Sequence, residues 1–228
     1  MLIERTAVEP LVRENLSQLP FMPEAIKLAD ERGERVYVVG GYIRDLVLGV
    51  GKKDIDILVV GDGTAFAEEL GKRLCVEDVL VYGNFGTANF RYGDFDIEFV
   101  AARKESYNRE SRNPEVVPST FEDDISRRDF TVNAIAASVN SDNFGEIFDL
   151  YNGLDDINAG VIRTPLEPDT TFDDDPLRIM RAIRFASRFG FTIEPGTYSA
   201  ITGMAPRLTI VSRERITDEF LKILASDR

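Results

Sequence analysis

The chain has 228 residues, 43% of them hydrophobic, which allows one large domain or two small ones around a real core. It holds no histidine and a single cysteine, Cys75, which excludes imidazole bases, His-ligated zinc and an internal disulfide and fits a reducing, cytoplasmic setting. The formal net charge of −13 argues against a broad nucleic-acid-binding surface, and any metal chemistry would have to use oxygen ligands, which favours magnesium or manganese.

The opening "MLIERTAVEP" carries an early acid and no apolar core, so a signal peptide is not expected. No apolar run approaches the roughly 20 residues that span a bilayer, so no membrane partner is expected. Residues 22–33, "MPEAIKLADERG", read as a helix closed by Gly33. "RVYVVGG" is a short apolar strand, "YIRDLVLG" a helix stopped at Gly49, and "DIDILVVG" a strand entering the core. "GTAFAEELGKRL" has helical spacing. Cys75 reads as a core residue on an apolar helix. "VLVYGNFGTANFRY" and "DFDIEFVAAR" read as a hairpin turning at Gly93-Asp94. "RRDFTVNAIAAS" reads as a helix, and "NSDNFGEIFDLYNGLDDINAG" as turn-rich with short elements. From Asp175 the pattern is helical: "DPLRIMRAIRFASRFG", "EPGTYSAITGM" and "VSRERITDEFLKILAS". Strands thus fall mostly before residue 125 and helices after 140. The expected architecture is α+β, a mixed sheet with helices over 1–139 followed by an all-α region over 140–228.

Asp54 and Asp56 lie two apart in an apolar strand, so both carboxylates face one side, about 6–7 Å apart at Cα. An isolated pair of this kind is more often a solvated edge. Gly40-Gly41, between a strand and a helix, offers backbone N–H groups of the type that attract phosphate. A third acid is needed for two-metal phosphoryl transfer. "GDFDIEF" supplies Asp94, Asp96 and Glu98, which alternate with Phe95, Ile97 and Phe99. Basic residues cluster in 103–112, 126–129 and 178–188.

Five stretches carry a family resemblance. "GGYIRD…DIDILVV" resembles the first motif of class II tRNA nucleotidyltransferases and bacterial poly(A) polymerases, within the polymerase-β-like nucleotidyltransferase superfamily. "RRDFTVNAIA" (127–136) is similar to their second motif and "FDLYNGLDDI" (148–157) to their third. "DDPLRIMRAIRFASRFGF" (174–191) is similar to their base-recognition motif and "SRERITDEFLKIL" (212–224) to their last. They occur in the family's order over residues 36–224.

The resemblance implies a polymerase-β-like head and a helical neck. It implies that Asp54 and Asp56 bind catalytic metal, with Glu98 as third acid and Asp96 as its substitute. Gly40, Gly41 and Arg44 fall in the part of the motif that meets the nucleotide phosphates. Arg128, Asp129 and Asn133 fall in the part associated with the ribose, and residues 129 and 133 would share a helix face. Asp175 and Arg178 would read the base. A carboxylate only accepts and a guanidinium only donates, which complements the amino group and adjacent ring nitrogen shared by cytosine and adenine. Guanine O6 or uracil O4 would set acceptor against acceptor. Asp174, where the family commonly has Glu, and Arg181 and Arg184 are secondary candidates. The tract 103–107, "RKESY", resembles a loop that covers the primer end or the triphosphate.

The implied reaction adds CMP and AMP from CTP and ATP to a tRNA 3′ end with two Mg²⁺, or Mn²⁺, and releases pyrophosphate. Poly(A) synthesis, CC-only or A-only addition, and a non-catalytic nucleotide-binding fragment are the alternatives. Family members usually continue past this length into regions that grip tRNA, so the resemblance implies part of a longer protein.

Overall fold

The computed structural model describes residues 4–51, 53–82, 86–106 and 115–226. Two units divide the chain: Met1–Ile125 with Ile135–Leu150, and Ser126–Ala134 with Tyr151–Arg228. The expected division fell at 139/140. The chain instead leaves the first unit at 126, returns to it at 135, and leaves again after 150.

The first unit is built on a mixed seven-stranded sheet. Its strands are β1 (Arg35–Val39), β2 (Asp54–Val60), β3 (Leu80–Tyr82), β4 (Thr87–Tyr92), β5 (Phe95–Ala101), β8 (Ile135–Ser138) and β9 (Ile147–Asp149), in the order β3-β4-β5-β2-β1-β8-β9. A separate antiparallel pair joins β6 (Arg103–Ser106) and β7 (Glu115–Pro118). The expected covering role of 103–107 has its backbone start in β6, while Tyr107 lies outside the described residues. Helices α1 (Arg5–Ser17), α2 (Met22–Arg32), α3 (Gly41–Val47), α4 (Gly63–Arg73) and α5 (Phe121–Ser126) accompany the sheet. Val36, Val38, Ile55, Ile57, Leu58, Phe66, Leu70 and Phe99 are fully buried and form the centre of its core.

Local chemistry explains most of these elements. Gly33 ends α2 in the left-handed conformation at φ 63°. Asp62 caps α4 by accepting from the Ala65 N–H at 3.0 Å. Gly93 opens the two-residue β4–β5 turn at φ 59°, which glycine adopts without strain. "VLVYGNFGTANFRY" contains two strands rather than one, since β3 and β4 pair with each other.

Two readings are corrected. "RRDFTVNAIAAS" is not a helix: a 3-10 turn over Thr131–Asn133 leads into β8, which pairs with β1 on one side and β9 on the other. Ile135 to Ser138 are fully buried, and a short apolar run without alternation carries no period to distinguish strand from helix. The unpaired edge of β1 decides it. Cys75 is exposed, not core. It follows the end of α4 at φ 55°, where the chain is already turning away from the helix.

The second unit is mainly helical: α6 (Gly153–Ala159), α7 (Pro168–Asp174), α8 (Leu177–Phe189), α9 (Pro195–Met204) and α10 (Arg213–Leu224). A two-residue parallel pair, β10 (Val161–Ile162) with β11 (Thr192–Ile193), is its one addition of strand among the described residues. Gly190 ends α8 at φ 68°, in the left-handed conformation.

Candidate active site

Strand register assembles the acids. β2 and β5 run parallel with Asp54 beside Asp96 and Asp56 beside Glu98. Successive side chains alternate between faces, so all four project from the same face of the sheet. Their alternates Ile55, Ile57, Ile97 and Phe99 are buried on the other. Asp94 does not join them: it lies in the β4–β5 turn, and its carboxylate accepts from the Lys53 ammonium at 2.9 Å. That contact holds the Asp94 carboxyl below its ordinary value.

On the far side of β5, strand β4 sets Arg91 opposite Asp96 and Asn89 opposite Glu98. Directly opposed residues on adjacent strands are near neighbours. Asp96 therefore has a cation beside it, while Glu98 lies between Asp56 and a neutral amide. A cavity of about 470 Å³ opens here, lined by Asp54, Asp56, Asp96 and Glu98 and walled by residues such as Leu80 and Arg91.

The Gly-Gly step stands beside β2 on its other flank. Gly40 takes φ 72°, ψ −126°, a region open almost only to glycine. Its N–H donates to the Ile135 carbonyl at 2.9 Å, so it is not available to a phosphate. The first intrahelical bond runs from the Arg44 N–H to the Gly40 carbonyl. The N–H groups of Gly41, Tyr42 and Ile43 thus precede the helical ladder. Arg44 differs from expectation. It is 3% exposed, and its Nε and Nη2 bind the buried Asp45 carboxylate at 2.8 and 2.7 Å. Its charge is engaged inside the fold rather than presented at the surface.

The ribose and base candidates lie in the second unit. Asp129 and Asn133 are not on an α-helix, yet the turn brings them together. Asn133 Nδ2 donates to Asp129 Oδ1 at 2.9 Å, and the Phe130 N–H donates to the same oxygen at 2.8 Å. Arg181 Nε and Nη2 donate to Oδ2 at 2.8 and 2.5 Å. Four donors fill the four lone-pair positions of the carboxylate. Burial would push the Asp129 carboxyl up. The Arg181 charge, with the Asn133 and Arg181 hydrogen bonds, overcomes it and holds the group at about 2. Thr131 donates to Asp156 at 2.7 Å, which ties the second motif to the third. Arg128 is half-buried. Arg181, a secondary base candidate, belongs to this network, and Arg184 pairs with Glu219 at 2.8 Å.

Asp175 and Arg178 do not share a helix. Asp175 stands in extended conformation between α7 and α8, and Pro176 prevents a continuous helix. Asp175 Oδ1 accepts from the Leu177 N–H at 3.1 Å, and Oδ2 from Arg215 Nη2 at 2.9 Å. Arg178 lies in the first turn of α8, is 9% exposed, and donates from Nη1 to the Thr171 carbonyl at 3.2 Å. Asp174 is the last residue of α7. Sequence reading missed Arg215, which stands forty residues from its partner with no local signal to join them.

The sequence profile of the poly A polymerase head domain matches residues 36–163. The chain belongs to the poly(A) polymerase and tRNA nucleotidyltransferase family. A second profile, a probable RNA and SrmB-binding site of polymerase A, matches residues 190–228. An A-adding tRNA nucleotidyltransferase of Aquifex aeolicus is 39% identical over 201 residues, covering 83% of this chain and 24% of that protein. A CCA-adding enzyme of Leuconostoc mesenteroides is 37% identical over 216 residues, covering 92% and 51%. The solved Thermotoga maritima CCA-adding enzyme complexed with tRNA superposes with a TM-score of 0.80 at 34% identity, covering 95% of this chain and 51% of that one. The chain therefore spans about half or less of the length of these relatives.

The family generally uses divalent metals. The donor set on the acidic face suits them, because it consists of carboxylates. Among the described residues, no three acidic or thiol side chains already close on one point. Asp56 stands beside Glu98 and Asp54 beside Asp96 on the paired strands β2 and β5. No helix is long and apolar enough to cross a membrane among the described residues.

Proposed function

We propose that this chain is the catalytic and nucleobase-reading part of a tRNA nucleotidyltransferase, which adds CMP and AMP from CTP and ATP to a tRNA 3′ end. The observation that carries the proposal is the parallel β2–β5 register, which gathers four carboxylates on the open face at one cavity. Asp54, Asp56 and Glu98 would hold two Mg²⁺, and Mn²⁺ satisfies the same donors. Bound there, the ions supply positive charge at the attacking and leaving oxygens. Glu98, beside Asp56 in the register, would ease loss of the 3′ hydroxyl proton, as metal ligand or as base. The N–H groups at Gly41 to Ile43 complement triphosphate charge, and Arg44 braces their helix through Asp45.

In the second unit, Asn133 and Arg128 are the groups for the ribose, with Asp129 holding Asn133 in place. Asp175 accepts the amino group of cytosine or adenine, and Arg178 donates to the neighbouring ring nitrogen. Relatives named for A addition and for CCA addition match this chain at 39% and 37% identity. An edge common to both bases accounts for a shared site. A cytoplasmic setting belongs to the same reading.

Incubating the chain with magnesium, tRNA lacking its 3′ CCA and each labelled nucleotide in turn tests it. Short incorporation of C and A, absent from Asp54→Ala, is expected. Long A tails would replace it with poly(A) synthesis. Label from A alone would point to the A-adding activity named for the Aquifex relative.

A further inference from the structure

Base reading by Asp175 requires a carboxylate aimed in one direction, and Asp175 is not on a helix that would aim it. Two contacts fix it instead. The Leu177 N–H holds Oδ1 at 3.1 Å and Arg215 Nη2 holds Oδ2 at 2.9 Å. Two of its four lone-pair positions are therefore occupied by donors that orient it, and two remain for a ligand. Asp129, with four donors, has none to offer.

Arg215 itself is on a braced element. Ser212 caps α10 by accepting from the Arg215 N–H. The helix is fastened to α8 by Arg184 with Glu219 at 2.8 Å and by the Ser187 and Ser226 hydroxyls at 2.7 Å. α8 also carries Arg178 in its first turn. The Arg215 side chain is 55% exposed and that of Asp175 24%. A pair this open to water contributes little to folding, so its effect falls on direction and not on stability.

We propose that Arg215 is a positioning residue for nucleobase selection, holding the Asp175 carboxylate in the orientation that separates an amino group from a carbonyl oxygen. This rests on the nucleotidyltransferase reading above. Without Arg215, one contact remains on Asp175. The carboxylate can then swing away from a uracil or guanine oxygen, and the penalty against those bases falls.

The test is equilibrium binding of CTP, ATP, UTP and GTP with magnesium to the wild-type chain, Asp175→Ala, Arg215→Ala and Arg215→Lys. Melting temperatures are read in parallel. Arg215→Ala is expected to melt within a few degrees of wild type while its CTP-over-UTP preference falls about tenfold, the scale set by one unpaired polar contact. Arg215→Lys should recover part of the preference. If Arg215→Ala keeps the wild-type preference while Asp175→Ala loses it, the proposal is overturned and the functional reading stands. If the wild-type chain binds all four nucleotides equally, the base-reading assignment itself falls and takes this role with it.

Discussion

Asp54, Asp56, Asp96 and Glu98 share a face, but their neighbours separate their roles. Arg91 lies opposite Asp96 in the strand register, whereas Asn89 lies opposite Glu98. Glu98→Gln should therefore lower nucleotide transfer by at least tenfold more than Asp96→Asn, measured as turnover under saturating magnesium. Asp54→Ala should remove metal-dependent transfer while leaving the melting temperature near wild type, because Asp54 is exposed and buries no side chain. Asp129 predicts a pH effect. Its carboxyl lies at about 2, below the ordinary 3.8. The folded state thus favours the ionised form, and the stability this gives is complete above about pH 4 and lost as pH falls toward 2. The shift corresponds to about 2 kcal/mol. Urea unfolding should show Asp129→Asn far below wild type at pH 7, with the gap closing as pH falls. A gap constant with pH would contradict the Asp129–Arg181 assignment.

At the scale of elements, sequence patterns located β1, β2, α4, the β4–β5 hairpin and α8, because each carries a period or a glycine stop. They failed where tertiary pairing decides. β8 is alanine-rich and would suit a helix, yet the edge of β1 takes it as a strand. The helical pattern from Asp175 placed it in one helix with Arg178, but Asp175 is extended and Pro176 separates α7 from α8. The register between β2 and β5 spans some forty residues, and no local rule gives it. Both sets of acids were legible as residues, while their pairing and the Arg91 and Arg215 contacts were not. Gly40 is the element-scale test. Gly40→Ala puts a side chain at φ 72°, ψ −126°, which should cost about 1–3 kcal/mol. A shift in the urea midpoint reads this, and no shift would mean that the β1–α3 junction is relaxed.

For the molecule as a whole, the charge of −13 is unusual for a chain proposed to act on RNA. On the proposed reading the four acids on one face of the sheet would serve metal, and the chain spans about half or less of the relatives to which it is matched. On this account nucleotide binding is local to the chain. The most direct test is calorimetric titration of the chain with CTP in the presence and absence of magnesium, repeated with Asp54→Ala/Asp56→Ala. The account predicts magnesium-dependent binding of CTP that the double variant loses. Failure of the wild-type chain to bind CTP with magnesium, or binding unchanged in the double variant, would contradict it.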